Sequence, residues 1–184
     1  YGTLVASKQS GSDARPQFAI DIAQLGGMYA NQVYLIANEN GLGVNSKGRI
    51  ASLQENLTPS AQGDITISDS YSKKNIEIDT IGRVSINAQV SADKDLNISA
   101  AKQLNVEKTG SLNAEQQLRL ITPEINNSGA MIQKSGTQAL TLSATGNVTN
   151  DGTIYAATDL NIRAEKISGI GGTIQVKGGL VLDA

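Results

Sequence analysis

The chain contains no cysteine, no histidine and no tryptophan, and only one of its 184 residues is Phe and three are Pro. Without cysteine there is no disulfide framework and no thiolate metal site. Without histidine the commonest general base and the commonest transition-metal ligand are missing. Aromatic residues make up 3% of the chain against 39% for all hydrophobic residues, so a core must be filled by Ile, Leu, Val and Ala. Such side chains suit a narrow interior in which each layer repeats the one below. No run reaches the roughly 18 apolar residues that cross a membrane as a helix. No cationic start followed by an apolar stretch marks a signal peptide, so a secreted parent would make this chain an internal fragment. The absence of cysteine fits a chain exported unfolded and uncrosslinked. Fifteen Lys and Arg against 17 Asp and Glu give a net charge of −2, without the basic stripe that nucleic acid requires. The basic pair Lys73-Lys74 reads as a solvated loop.

What the chain does have is repetition. Five phrases share one pattern: Gly2-Thr3-Leu4-Val5-Ala6, Gly26-Gly27-Met28-Tyr29-Ala30, Gly48-Arg49-Ile50-Ala51-Ser52, Gly110-Ser111-Leu112-Asn113-Ala114 and Gly152-Thr153-Ile154-Tyr155-Ala156. A second phrase, apolar-polar-apolar, keeps step with them. It occurs at Ile76-Glu77-Ile78, Leu96-Asn97-Ile98, Leu118-Arg119-Leu120, Leu140-Thr141-Leu142, Leu160-Asn161-Ile162 and Leu180-Val181-Leu182, at spacings of 20, 22, 22, 20 and 20. A fixed period of this size signals stacked repeats.

One period resolves into three apolar positions. After Leu140-Thr141-Leu142 come Val148 and then Ile154, separated by Gly146 and the turn-forming Asn150-Asp151-Gly152. The other periods read Leu160, Ile167, Ile174; Leu118, Ile125, Ile132 (or Met131); Leu96, Leu104, Leu112; and Ile76, Val84, Val90. These positions predict an all-β, right-handed parallel β-helix with three short strands per coil of about 20 residues. Each phrase returns in the same order, so like strands stack in parallel, whereas hairpins would reverse them. Asn97, Arg119, Thr141 and Asn161 then face outward. The apolar spacing makes no helical stripe, and 19 glycines suit coil corners better than helices. Pro16, Pro59 and Pro123 are expected at loops or strand ends.

Two tracts break the rhythm. Ser7 to Gln17 is expected to be a loop, and Leu53 to Ser72 is expected to hold an enlarged loop or a displaced strand around Ile65-Thr66-Ile67. The expected divisions of one continuous solenoid are coils over 1–52, an irregular coil over 53–75 and regular coils over 76–184.

Candidate chemistry is sparse. Asp93 and Asp95 are the best acid pair, but a glycosidase needs two carboxylates flanking a cleft; a charged corner is the simpler reading, as for Asp64, Asp159 and Asp183. Gly169-Ile170-Gly171-Gly172 lacks the calcium-binding nonapeptide phrase and reads as a tight corner. Gly41-Leu42-Gly43 lacks the rest of a dinucleotide fingerprint. Asn56, Asn97, Asn126 and Asn147 begin Asn-x-Ser/Thr triplets. Tyr29, Tyr34 and Tyr155 are expected to point outward, against a covering loop or a partner. No catalytic, cofactor-binding or metal-binding residue is assigned, and no cofactor is expected.

The stretch Phe18-Ala19-Ile20-Asp21-Ile22-Ala23-Gln24-Leu25-Gly26-Gly27-Met28-Tyr29-Ala30, followed by Val33-Tyr34-Leu35-Ile36-Ala37 and Gly41-Leu42-Gly43-Val44-Asn45, resembles the filamentous haemagglutinin family. These are exoproteins of bacterial two-partner secretion, including adhesins, haemolysins and contact-dependent growth-inhibition effectors. The resemblance places residues 1–52 at the end of the secretion domain and residues 76–184 in the first haemagglutinin repeats. It implies a right-handed β-helical rod, secreted or held at the bacterial cell surface after passage through the periplasm. Its implied partners are an outer-membrane β-barrel transporter and, through the parent protein, a target-cell receptor or host surface. No nucleic-acid partner and no membrane span are expected, and the segment itself is expected to be monomeric. The expected function is a non-catalytic rod for adhesion or for a growth-inhibition effector. The alternative is a β-helix polysaccharide hydrolase or lyase working with carboxylates alone.

Overall fold

The computed structural model describes residues 2–8, 18–21, 27–41, 43–169 and 171–184. These residues form a parallel β-solenoid of three faces. Face A has nine strands, from Thr3–Lys8 to Leu180–Asp183; face B has eight, from Phe18–Asp21 to Lys166–Ser168; face C has eight, from Gly27–Ala30 to Thr173–Val176. One coil consists of Leu96–Ala100, Gln103–Val106 and Ser111–Ala114 in turn. Each strand pairs in parallel with the strand one coil away.

The six apolar triplets all lie on face A in register. Leu96 stands over Ile76 and under Leu118, and Ile98 stands between Ile78 and Leu120. Their first residues are fully buried from Ile76 to Leu160. Each such side chain contributes roughly 1.5–3 kcal/mol of burial, and the stack makes one continuous column. The face-A strands Leu57–Ala61, Ile76–Thr80 and Leu96–Ala100 each end on a small buried residue at the corner. Faces B and C close the interior with Ile65, Val84, Leu104, Ile125 and Val148, and with Val90, Leu112, Met131 and Ile154. Asn97, Arg119, Thr141 and Asn161 form one outward column, as expected.

Two of the phrase glycines, Gly110 and Gly152, share their place with two others. Gly110, Gly129, Gly152 and Gly172 stand at the corner leading into face C. A Cβ at Gly129 would lie 2.1 Å from the carbonyl oxygen of Gly110, and one at Gly152 would lie 2.1 Å from that of Gly129. These carbonyls accept the N–H groups of Ala130 and Thr153, at 3.2 and 2.9 Å. The corner is therefore tight because backbone stacks directly on backbone.

Several expectations need correction. The Gly2 phrase is on face A, where Thr3–Lys8 pairs with Gln32–Ala37, while the strands of the other four glycine phrases are on face C. In Thr3–Lys8 the phrase ends at Ala6, inside the strand, so the phrase alone does not separate the two faces. Ser7 and Lys8 continue a strand, and the rest of the expected loop lies outside the described residues, as do residues 22–26, Leu42 and Ile170. Between 53 and 72 there is no displaced strand: Leu57–Ala61, Ile65–Ile67 and Ser70–Ser72 take their places on the three faces. Pro59 lies inside its strand, not at an end. Leu57 donates its N–H to Asn75, and Pro59, two residues on, has none to give towards the same strand; the pairing with Ile76–Thr80 skips residues 58 and 59. Pro123 does occupy a corner. Of the two candidates in the Leu118 coil, Met131 is fully buried and Ile132 faces out.

At the end of face B the inward column changes character. Ile67, Ile86 and Val106 are followed by Asn127 and Asn150, both nearly fully buried. Asn127 Nδ2 donates to Asn150 Oδ1 and to the Thr153 carbonyl, each at 2.9 Å, and Asn150 Nδ2 donates to the Thr173 carbonyl at 3.2 Å. Asn127 Oδ1 receives no donor, because Val106 below it has none. Replacing Val106 by Asn should extend the ladder and satisfy that oxygen. Its midpoint of thermal unfolding should then stay within a few degrees of wild type. Val84→Asn, lacking such a partner, should cost about 1–3 kcal/mol more.

Candidate functional site

The corner between faces C and A is the most regular polar feature. The residue just ahead of a face-A strand caps the next coil. Asn56 Oδ1 accepts the Asn75 N–H at 3.0 Å, Asn75 Oδ1 the Asp95 N–H at 3.1 Å, and Asp95 Oδ1 the Gln117 N–H at 3.2 Å. Asp159 Oδ1 does the same for Gly179 at 2.8 Å. At another corner Asp64 Oδ1 accepts the Arg83 N–H at 2.9 Å.

The acid pair is divided between separate tasks. Asp93 accepts the Tyr71 hydroxyl at 2.5 Å and faces Lys73 at 3.8 Å, while Asp95 caps Gln117. The bond to Asp93 pushes the Tyr71 phenol up to about 12. Lys74 pairs with Glu55 at 2.7 Å and Arg163 with Asp183 at 3.3 Å. Lys73 and Lys74 are thus surface partners of acids, and the outer rim of the rod is stitched coil to coil. Tyr29 is half exposed, and Tyr34 and Tyr155 are partly covered. The Tyr34 hydroxyl accepts from Gln32 at 2.5 Å. Asn126 donates to Asn105 and Asn97 to Glu77, both at 3.1 Å. Among the described residues no group of His, Cys, Asp and Glu is arranged to hold a metal.

One corner departs from the rest. Residues 134–139 link faces C and A where 115–117 and 157–159 suffice in the adjoining coils. Gly136 turns this loop at φ +102°, and a Cβ there would meet the Gln116 carbonyl at 2.6 Å. Fully buried Gln133 holds the loop from below. Its Nε2 donates to the carbonyls of Gln116 at 2.8 Å and Gln138 at 2.5 Å, and Thr158 Oγ1 adds a bond to the latter at 2.8 Å. The loop walls a cavity of about 310 Å³ lined by Asp95, Gln116, Gln117, Ser135, Thr137 and Gln138, with Gly136. The sequence reading missed it, although Lys134-Ser135-Gly136-Thr137-Gln138 carries the small, turn-forming residues of a loop.

At Gln117 the cavity adjoins a shallow groove of about 530 Å³ on the outside of face A. The groove includes Glu77, Asp79, Asn97, Arg119 and Ile121. Partial burial raises the Glu77 carboxyl above its ordinary 4.5, and nearby Asp95 adds to this, against the bond from Asn97. The folded chain therefore holds this proton more tightly than the unfolded chain. Stability from Glu77 is fully present below pH 4.5 and is lost as pH rises through the raised folded value. Glu77→Gln should consequently gain on wild type in thermal midpoint between pH 4 and 7. Parallel curves would show that Glu77 does not carry this dependence.

The haemagglutinin-repeat family model matches residues 2–88, 79–152 and 139–184. The chain belongs to the haemagglutinin-repeat family. This agrees with the resemblance to the filamentous haemagglutinin family, and the matched repeats coincide with the stacked coils. The chain is similar to the tRNA nuclease CdiA-2 of Burkholderia pseudomallei, 46% identical over 68 residues, which is 37% of this chain and 2% of that protein. It is also similar to the tRNA nuclease CdiA of Yersinia mollaretii, 34% identical over 70 residues, 38% of this chain and 2% of that protein. A third relative is the protein adenylyltransferase and cysteine protease IbpA of Histophilus somni, 32% identical over 93 residues, 50% of this chain and 2% of that protein. The haemagglutinin-repeat chain thus spans about 2% of the length of the curated relatives it matches. No solved structure gives a significant match.

Proposed function

We propose that this chain is a non-catalytic rod segment of a large bacterial exoprotein. A partner β-barrel transporter exports the parent by two-partner secretion, and the parent stands at the cell surface as an adhesin or as the stalk of a growth-inhibition effector. On this reading residues 1–52 are coils at the end of the secretion domain, residues 76–184 are the first haemagglutinin repeats, and the coil over 53–75 lies between them. A receptor on the target cell or host is engaged by the parent protein.

The observation that carries this reading is the run of haemagglutinin-repeat matches through the stacked coils. Each coil touches only its neighbours, so length grows without any new core. The relatives' named activities favour a delivery stalk over an adhesin, and the matched stretch is a minute part of each. The polysaccharide-enzyme reading finds less support, since Asp93 and Asp95 are each committed to a separate contact.

A coil excision tests the proposal. Removing residues 160–179 from the parent joins Asp159 to Leu180 in the same register. Export, display and target-cell inhibition are expected to persist on a rod shorter by about 4.8 Å. Loss of inhibition with normal display would make this coil a specific site, not a spacer. The isolated chain should leave tRNA and acidic polysaccharide intact; cleavage of either would refute the non-catalytic role.

A further inference from the structure

The cavity beneath residues 134–139 is walled by polar groups on a fixed loop. The loop is rigid at both ends. Lys134 and Ser135 donate their N–H groups to the carbonyls of Ala114 and Glu115, at 2.9 and 2.8 Å, continuing the coil pairing. At the other end Gln133 and Thr158 fix the Gln138 carbonyl. A site pre-shaped in this way spends little binding energy on ordering itself.

The lining supplies hydrogen bonds of both senses and no positive charge. Gln116, Gln117 and Gln138 bring amides, Thr137 brings a hydroxyl, and Asp95 brings a carboxylate, while Ser135 Oγ, which donates to the Glu115 carbonyl at 2.8 Å, offers an acceptor. Asp95 Oδ1 already caps Gln117, which fixes the carboxyl group, while its other oxygen accepts no hydrogen bond among the described residues. A fixed carboxylate oxygen beside amides is suited to accept from one hydroxyl of a vicinal diol while an amide serves the next. An anion would meet Asp95 with no compensating cation in the lining. The volume of about 310 Å³ lies at the lower end of ligand sites, roughly 300–1,000 Å³, and suits one sugar ring.

From this arrangement we infer that the cavity binds a single neutral sugar residue, the end of an uncharged glycan. The inference does not depend on how the parent protein is exported or what it delivers.

The test titrates the isotopically labelled 184-residue chain with methyl glycosides of glucose, galactose and mannose, with N-acetylglucosamine, and with N-acetylneuraminic acid as the anionic control. At least one neutral sugar should saturably shift the amide signals of residues 116–117 and 135–138, and the acid should not. Thr137→Arg, which fills the cavity from an exposed position, should abolish the shifts. Asp95→Asn, which retains the capping oxygen, should weaken binding at least tenfold. Unfolding midpoints of both variants serve as the folding control; if one variant is destabilised, the other decides. The inference fails if no neutral sugar shifts these signals at 100 mM. It also fails if N-acetylneuraminic acid binds as tightly, or if folded Thr137→Arg and Asp95→Asn bind like wild type.

Discussion

Leu120→Ala is expected to destabilise the coils around it by about 2–5 kcal/mol, the range for truncating a fully buried leucine. Leu120 is fully buried, stacked between Ile98 and Leu142. The backbone ladders above and below hold the coil spacing, so the void cannot close by local collapse and the cost should fall in the upper half of the range. Because coils interact only with their neighbours, the damage should be local. Native-state hydrogen exchange should accelerate most at 96–100, 118–121 and 140–143, and least at 57–61. An equal acceleration throughout would mean that the rod unfolds as one unit and that the nearest-neighbour description is wrong.

Gly152→Ala is the second large effect, and its origin is different. The added methyl would enter within 2.1 Å of the Gly129 carbonyl oxygen, a backbone atom that cannot rotate aside. Overpacking of a rigid contact costs about 1–3 kcal/mol, occasionally more, and the contact here belongs at the upper end. Gly171 provides the comparison. Its Cβ would meet nothing, but its φ is +79°, so Gly171→Ala tests backbone strain without overlap. Gly171→Asn should recover much of that loss, since Asn tolerates the left-handed region, whereas Gly152→Asn should recover nothing. Equal rescue at the two sites would show that conformation, and not close approach, makes Gly152 a glycine.

The alternation of Leu140-Thr141-Leu142 and its copies was enough to identify a parallel coil with three faces, because period two and a constant spacing have few other solutions. The glycine phrase marked a real corner, yet Gly2 shows its limit: the same pattern also opens the longer face-A strand Thr3–Lys8, which runs on past Ala6. Pro59 misled in the opposite direction. Proline normally avoids strand interiors, but here only one of its two neighbouring strands loses a donor, and stacking on Leu35 keeps it in line. The ligand cavity was hidden by compensation. The coils beginning at Leu96 and Leu118 have the same spacing of 22. One places its long connection at 107–110 and the other at 134–139, so the period alone could not reveal which corner was enlarged. Gln133 likewise looks like a surface residue in the sequence, and only the folded corner shows why an amide is buried there.

Pro59 also has a mechanical consequence. A rod that is pulled lengthwise loads the bonds between successive coils, and a crack opens where fewest of them resist. The joint between Leu57–Ala61 and Ile76–Thr80 lacks the donor that Pro59 cannot supply. Under tension this joint should part before its neighbours, giving the rod a built-in place to yield.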